Sequence, residues 1–209
     1  MSRFTTRDLA YVGVFGAIWG AVEVSLGSYL HLVRAPFRGM VLVAMAVCIF
    51  SAGRRYVPRR GATILMALTA AGLKTVSAGG VILNPVIAIL MEGLLGEAGF
   101  SMLGNGRKGA VLAGALASSW LILHRFLTLG IIGGWGLSNT YNIVVSTASS
   151  VLPIHPDRVG LLMAAWLVLH VVVGAVSGLA GHEVGRRIEA FRQPAQHAAG
   201  GREQRGSSW

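Results

Sequence analysis

Residues 70–97 read AAGLKTVSAGGVILNPVIAILMEGLLGE, two apolar runs joined by a Gly-Gly turn. Each run resembles a membrane span, yet the first carries Lys74 and the second carries Glu92 and Glu97. A charge at bilayer depth costs at least about 2.5–3.5 kcal/mol even on the lenient insertion scale. These side chains therefore pair with one another or serve a polar task inside the bundle. How this stretch is read decides the fold. Two helices and a turn make the chain a membrane protein, and their charges become its candidate site.

The surrounding composition agrees. Of the 209 residues, 54% are hydrophobic and 12% charged, against roughly 25% charged in a soluble domain. The mean hydropathy is +0.64. Twenty-nine glycines suit helices that must approach closely without a hydrophobic drive between them. The length fits one domain with room for about six spans of ~20 residues. The single cysteine, Cys48, sits in an apolar run and reads as a small packing residue.

The net charge of +10 does not indicate a nucleic-acid partner. Its basic residues flank apolar segments instead of lining one face, and no zinc-finger, recognition-helix or RNA-binding aromatic pattern accompanies them. Topology and anionic headgroups explain them better. The first apolar run is too long for a signal-peptide core, and no small-x-small cleavage site follows a short one.

A window of about 19 residues finds six spans, near residues 8–30, 37–52, 61–78, 85–103, 110–132 and 159–184. Thr5 and Asp8 in TTRD make a capping-box start to the first. The second follows Pro36 and stops at GRRYVPRR, and GNGRKG turns the chain between the fourth and fifth. Residues 141–152 are too short to span and read as an interfacial or re-entrant segment. The transmembrane domain covers residues 1–190. The polar, Gly-rich segment 191–209 reads as a disordered cytoplasmic tail.

Lysine and arginine fix the orientation. Thirteen fall on the side of Arg3, Arg54, Arg107 and Arg186, and three, Arg34, Arg38 and Arg158, on the other. The positive-inside rule then places both termini in the cytoplasm. Depth follows from the 1.5 Å helical rise. Glu23, Lys74 and the neighbours His124 and Arg125 lie ~20–23 Å from the cytoplasmic end. Glu92 lies ~10 Å and His170 ~16 Å below the outer end. These groups come from five spans and share the middle-to-outer half, roofed by His31, Arg34 and Arg38 of HLVRAPFR.

Opposite charges at one level can pair across a bundle. Such a pair also serves merely to fix helix register, and a lone His170 more often packs than binds. Convergence from five helices, open to one side, favours a ligand cavity. Its candidate residues are Glu23, His31, Arg34, Lys74, Asn84, Glu92, His124, Arg125 and His170. Asn84-Pro85 follows Gly79-Gly80 and equally describes a tight turn. Glu97 lies deeper, toward the cytoplasm, as an interhelical tether. Trp19, Trp120, Trp135 and Trp166 suit packing or interfacial roles better than stacking on a ligand. No metal or catalytic motif is present: HEVGR at His182 lacks the second zincin histidine, and there is no GxSxG and no Walker A. No cofactor is expected, and ATP use through a P-loop is excluded.

The first span, AYVGVFGAIWGAVEVSLG, places Gly13, Ala17 and Ala21 at i, i+4 and i+8, with Gly16 and Gly20 beside them. This flat stripe suits close helix packing, within the bundle or against a partner. On this feature, in RDLAYVGVFGAIWGAVEVSLGSYL, and on its size, six spans, cytoplasmic ends and polar first outer loop, the chain resembles the substrate-binding S components of energy-coupling-factor (ECF) vitamin transporters. The first helix of such proteins carries an AxxxA-like surface for a membrane coupling subunit, and Gly13, Ala17 and Ala21 match it with glycine in first place.

The resemblance implies an all-α, six-helix S-component-like bundle in a bacterial or archaeal plasma membrane. It implies capture of a vitamin or related micronutrient from the outer face, in partnership with a transmembrane coupling (T) subunit and two cytoplasmic ATPases. The chain itself is then no enzyme. The nickel/cobalt branch fits poorly, because its metal site uses a histidine directly after the initiator methionine and this chain begins Met-Ser. Two other readings stay open. One is a membrane-embedded enzyme or assembly factor using Glu92, Glu97, His124 and His170. The other is a solitary facilitator without a coupling subunit.

Overall fold

Thr5 starts the first helix. Its hydroxyl accepts from the Asp8 amide at 3.2 Å, while its own amide donates to the Asp8 carboxylate at 2.9 Å. This reciprocal box satisfies two of the amides a helix start leaves unpaired. Asp8 also accepts from Arg59 Nε at 2.7 Å, tying the helix start to the turn that precedes the third helix.

The computed structural model describes residues 3–33, 37–76, 83–127 and 158–206, with isolated positions 134, 136, 139, 142, 145 and 146. Side chains of 83, 125–127, 159 and 191–206 fall outside this description. The described residues are all-helical, with six helices and no strand: α1 (Thr6–Leu32), α2 (Arg38–Tyr56), α3 (Ala62–Val76), α4 (Leu83–Leu103), α5 (Arg107–Leu127) and α6 (Val159–Gly206). Four of them, α1, α2, α4 and α6, are long and apolar enough to cross a membrane, while α3 is apolar but shorter.

Packing runs in a circuit, α1 to α3, α4, α5, α6, α2 and back to α1, with α2 also touching α3 and α5. Trp19, Phe50 and Phe100 form the centre: Phe50 lies 5.8 Å from Trp19 and meets Phe100 edge-on at 6.3 Å, ring centre to ring centre. Met66, Ile89 and Val47 fill the gaps between them, fully buried. Small residues set the spacing. A Cβ on Gly16 would stand 2.8 Å from the Met66 carbonyl oxygen, and one on Gly20 would stand 3.1 Å from the Ala70 Cα. The two glycines thus let α1 lie directly on α3. Gly174 and Gly178 of α6 similarly face Gly114 and Ala110 of α5.

One end of the bundle gathers the arginines. Asp8–Arg59, Arg54–Glu97, Arg55–Glu189 and Arg107–Glu183 join the start of α1, the close of α2, the close of α4, the start of α5 and the distal part of α6. The described helices therefore alternate in direction along the chain.

Several boundaries move. α2 runs on to Tyr56, beyond the expected stop at 52, because Arg54 finds a carboxylate inside the bundle. α3 and α5 are helical to Val76 and Leu127, and the expected remainders, 77–78 and 128–132, lie outside the described residues. α6 continues past 184 through Gly206, across the segment whose composition reads as a disordered tail. The proposed interfacial segment 141–152 and the Gly79-Gly80 turn lie largely or wholly outside the described residues.

Candidate functional site

Three of the charges that share a depth meet in space. Glu23 on α1 is 7% exposed and Glu92 on α4 is 4% exposed. Lys74, in the last turn of α3, donates from Nζ to the backbone carbonyl oxygen of Glu23 at 3.0 Å. The lysine also lies close enough to the Glu23 carboxylate to attract it, and the Glu23 and Glu92 carboxyls interact with each other.

Local packing builds this meeting point. Gly27 leaves room for the lysine, whose Nζ would be 3.7 Å from a Cβ at that position. Gly93 sits against Ala67 and Gly96 against Phe50, which draws α4 onto α3 and α2 and turns Glu92 inward. Trp19 lies one helical turn before Glu23 on the same face and is fully buried. Its indole faces the Glu23 carboxyl, though Nε1 meets no acceptor in hydrogen-bond geometry. Glu92 Oε2 is likewise buried without a hydrogen-bond partner. The cluster holds two carboxyls and one ammonium, and its polar capacity is not fully used.

The other candidates among the described residues have these surroundings. His31 is exposed and contacts Arg38 Nη1 through Nδ1 at 3.0 Å. Asn84 opens α4 half-buried. His124 is half-buried, its ring 5.7 Å from that of Trp120 one turn earlier. His170 is 1% exposed, bonded through Nδ1 to the Trp166 carbonyl oxygen at 2.9 Å, with the Trp166 ring edge-on at 4.9 Å. Arg125 lies on α5 with its side chain outside the description, and Arg34 lies outside the described residues. Among the described residues, no group of three or more His, Cys, Asp or Glu side chains is arranged to hold a metal ion.

Glu97 belongs to a second buried polar node. It accepts from Arg54 Nη2 at 2.9 Å and from the Thr63 amide at 3.1 Å, and the Arg54 guanidinium lies 5.3 Å over the Phe100 ring. Its interhelical contact fits the sequence reading; its partner does not follow from it. Arg54 sits in GRRYVPRR, which looks like a cytoplasmic loop until Glu97 is placed opposite. The sequence likewise suggests packing for Trp19, and only its i, i+4 relation to Glu23 signals a place beside the charges.

The small-residue stripe on α1 divides in two. Gly16 and Gly20 are buried against α3, whereas Ala17 and Ala21 are exposed and Gly13 has open space where a Cβ would stand. Val14 and Ile18 beside them are also exposed. No protein-family model, curated protein or solved structure matches the chain.

Proposed function

We propose that the chain is the S component of an ECF-type importer, a six-span protein of a bacterial or archaeal plasma membrane with both termini in the cytoplasm. It captures a vitamin-like micronutrient from the outer face and works with a transmembrane coupling subunit and two ATPases.

The observation that carries this reading is the pair of faces on α1. One face bears Glu23 and Trp19, buried beside Lys74 and Glu92. Another presents Gly13, Ala17 and Ala21 with nothing packed on them. A helix that lines the polar cluster and also offers a flat outer surface links ligand occupancy to a helix partner by rigid-body geometry. Lys74 and Glu92 supply the polar anchors that fix a small molecule's orientation, and the apolar walls exclude water. The Arg-rich end lies toward the cytoplasm, where positive residues are retained.

Equilibrium binding of the purified protein to a panel of water-soluble vitamins tests the reading. One member should bind with Kd below about 1 µM, equivalent to roughly −8 kcal/mol. Lys74→Ala or Glu92→Gln should weaken it at least tenfold. Binding of no panel member, or affinity untouched in both variants, would overturn the site. Co-purification of the natively expressed protein with a coupling subunit and two ATPases separates the importer from a solitary facilitator.

A further inference from the structure

The Glu23–Lys74–Glu92 cluster is unbalanced in a way that bears on what it takes. Two buried carboxyls face a single ammonium, and that ammonium already spends one donor on the Glu23 backbone carbonyl. Glu92 keeps Oε2 buried with no hydrogen-bond partner. An ionised carboxylate held in an apolar bundle without a counter-charge is costly, so such a site is completed by a proton or by a cation.

A second, separate feature favours an organic cation. Trp19 is wholly buried one turn from Glu23 on the same helix, so its ring borders the carboxyls where water is excluded. Indole is the strongest aromatic partner for a cation, and the attraction grows when water is excluded. A hard metal ion instead asks for six or more oxygen ligands. Among the described residues no group of three or more acids, histidines or cysteines gathers to supply them.

We propose that this site takes an organic monocation, its charged nitrogen seated on the Glu92 carboxylate beside the Trp19 indole. The inference rests on the site reading given under Proposed function and narrows its substrate class. Lys74 neutralises Glu23, and the incoming cation neutralises Glu92. An anionic substrate is rejected, because it would bring a third negative charge to a cluster with one ammonium.

The test uses the purified 209-residue chain in detergent and an isosteric set of probes: benzamidinium, benzamide and benzoate. Thermal unfolding is followed by intrinsic tryptophan fluorescence. Benzamidinium at millimolar concentration should raise the unfolding midpoint by about 2 °C or more through preferential binding to the folded state. Benzamide and benzoate should leave it unchanged, as should replacing potassium chloride by sodium chloride. Glu92→Gln should abolish the benzamidinium shift, and Glu189→Gln, at the Arg-rich end of the bundle, should retain it.

Absence of the benzamidinium shift, an equal shift with benzamide or benzoate, or persistence of the shift in a folded Glu92→Gln protein would overturn the proposal. So would a sodium-specific shift of the same size, which would make this a metal-cation site. Discrimination among the three probes is read on the wild-type chain, so a variant that does not fold leaves the result decisive. Because no partner subunit is present, failure of the importer reading leaves this outcome intact, and a lost charge preference leaves the importer reading intact.

Discussion

Glu97 and Arg54 face one another with side chains only 8% and 2% exposed, so their pairing is set against desolvation of both ions. The Thr63 amide and the Phe100 ring complete the node, while Nε and Nη1 of Arg54 have no hydrogen-bond partner. A buried pair of this kind is expensive to break and cheap to replace as a unit. Glu97→Ala or Arg54→Ala should each destabilise the protein by about 3–5 kcal/mol. The double variant Arg54→Met with Glu97→Gln leaves an acceptor for Thr63 and should fall within about 1.5 kcal/mol of wild type. Denaturant titration of wild type and the three variants in mixed micelles checks both figures. The node also marks where sequence stops being informative. Depth along a helix follows from counting residues, so Glu97 could be separated from Glu92 without a structure. Its partner could not be named, because Arg54 belongs to a run of arginines that on its own resembles a loop.

At the scale of one element, α1 carries two close-packing surfaces that differ by a single residue step. Gly16 and Gly20 meet the backbone and side chains of Met66, Thr69, Ala70 and Leu73. Ala17 and Ala21 stay exposed. Gly16→Leu should therefore destabilise the isolated protein by about 1–3 kcal/mol, the cost of overpacking. Ala17→Leu should change its stability by no more than about 0.5 kcal/mol. Thermal unfolding of the two proteins side by side makes the comparison. If Ala17 serves a coupling subunit, the same Ala17→Leu protein should lose most of its co-purifying partner, measured by quantitative mass spectrometry. An unchanged yield would remove Ala17 from any interface. The i, i+4 spacing announced small-residue packing on α1 but not which stripe was used inside, since periodicity gives a helix two candidate faces and no neighbour. The same limit explains the histidines. His124 and His170 share the depth of Glu23 and Lys74, yet each engages a tryptophan of its own helix. Sequence fixes height in the bundle and leaves azimuth to packing.

Across the whole molecule, the charge asymmetry visible in the sequence coincides with physical closure of one end. Asp8–Arg59, Arg55–Glu189 and Arg107–Glu183 gather the starts of α1 and α5, the close of α2 and the distal part of α6 there, while Arg38 and His31 stand at the opposite end. Partly exposed pairs of this sort contribute at most about 1 kcal/mol each, so they do not drive the fold. Lysine and arginine are retained on the cytoplasmic side of a membrane, so the proposed orientation puts this end inside. That makes orientation a prediction with two readable positions. In a Cys48→Ser background, Val33→Cys marks the end of α1 and Gly106→Cys marks the turn before α5, both at exposed sites. A membrane-impermeant maleimide applied to intact spheroplasts should modify position 33 and spare position 106. Permeabilised membranes should then expose position 106 to the same reagent. The opposite order would invert the bundle, placing the Arg-rich end outside and closing the Glu23–Lys74–Glu92 site to external ligands. Equal labelling of both positions in intact cells would break the alternation of the helices across the bilayer, and with it the six-span arrangement.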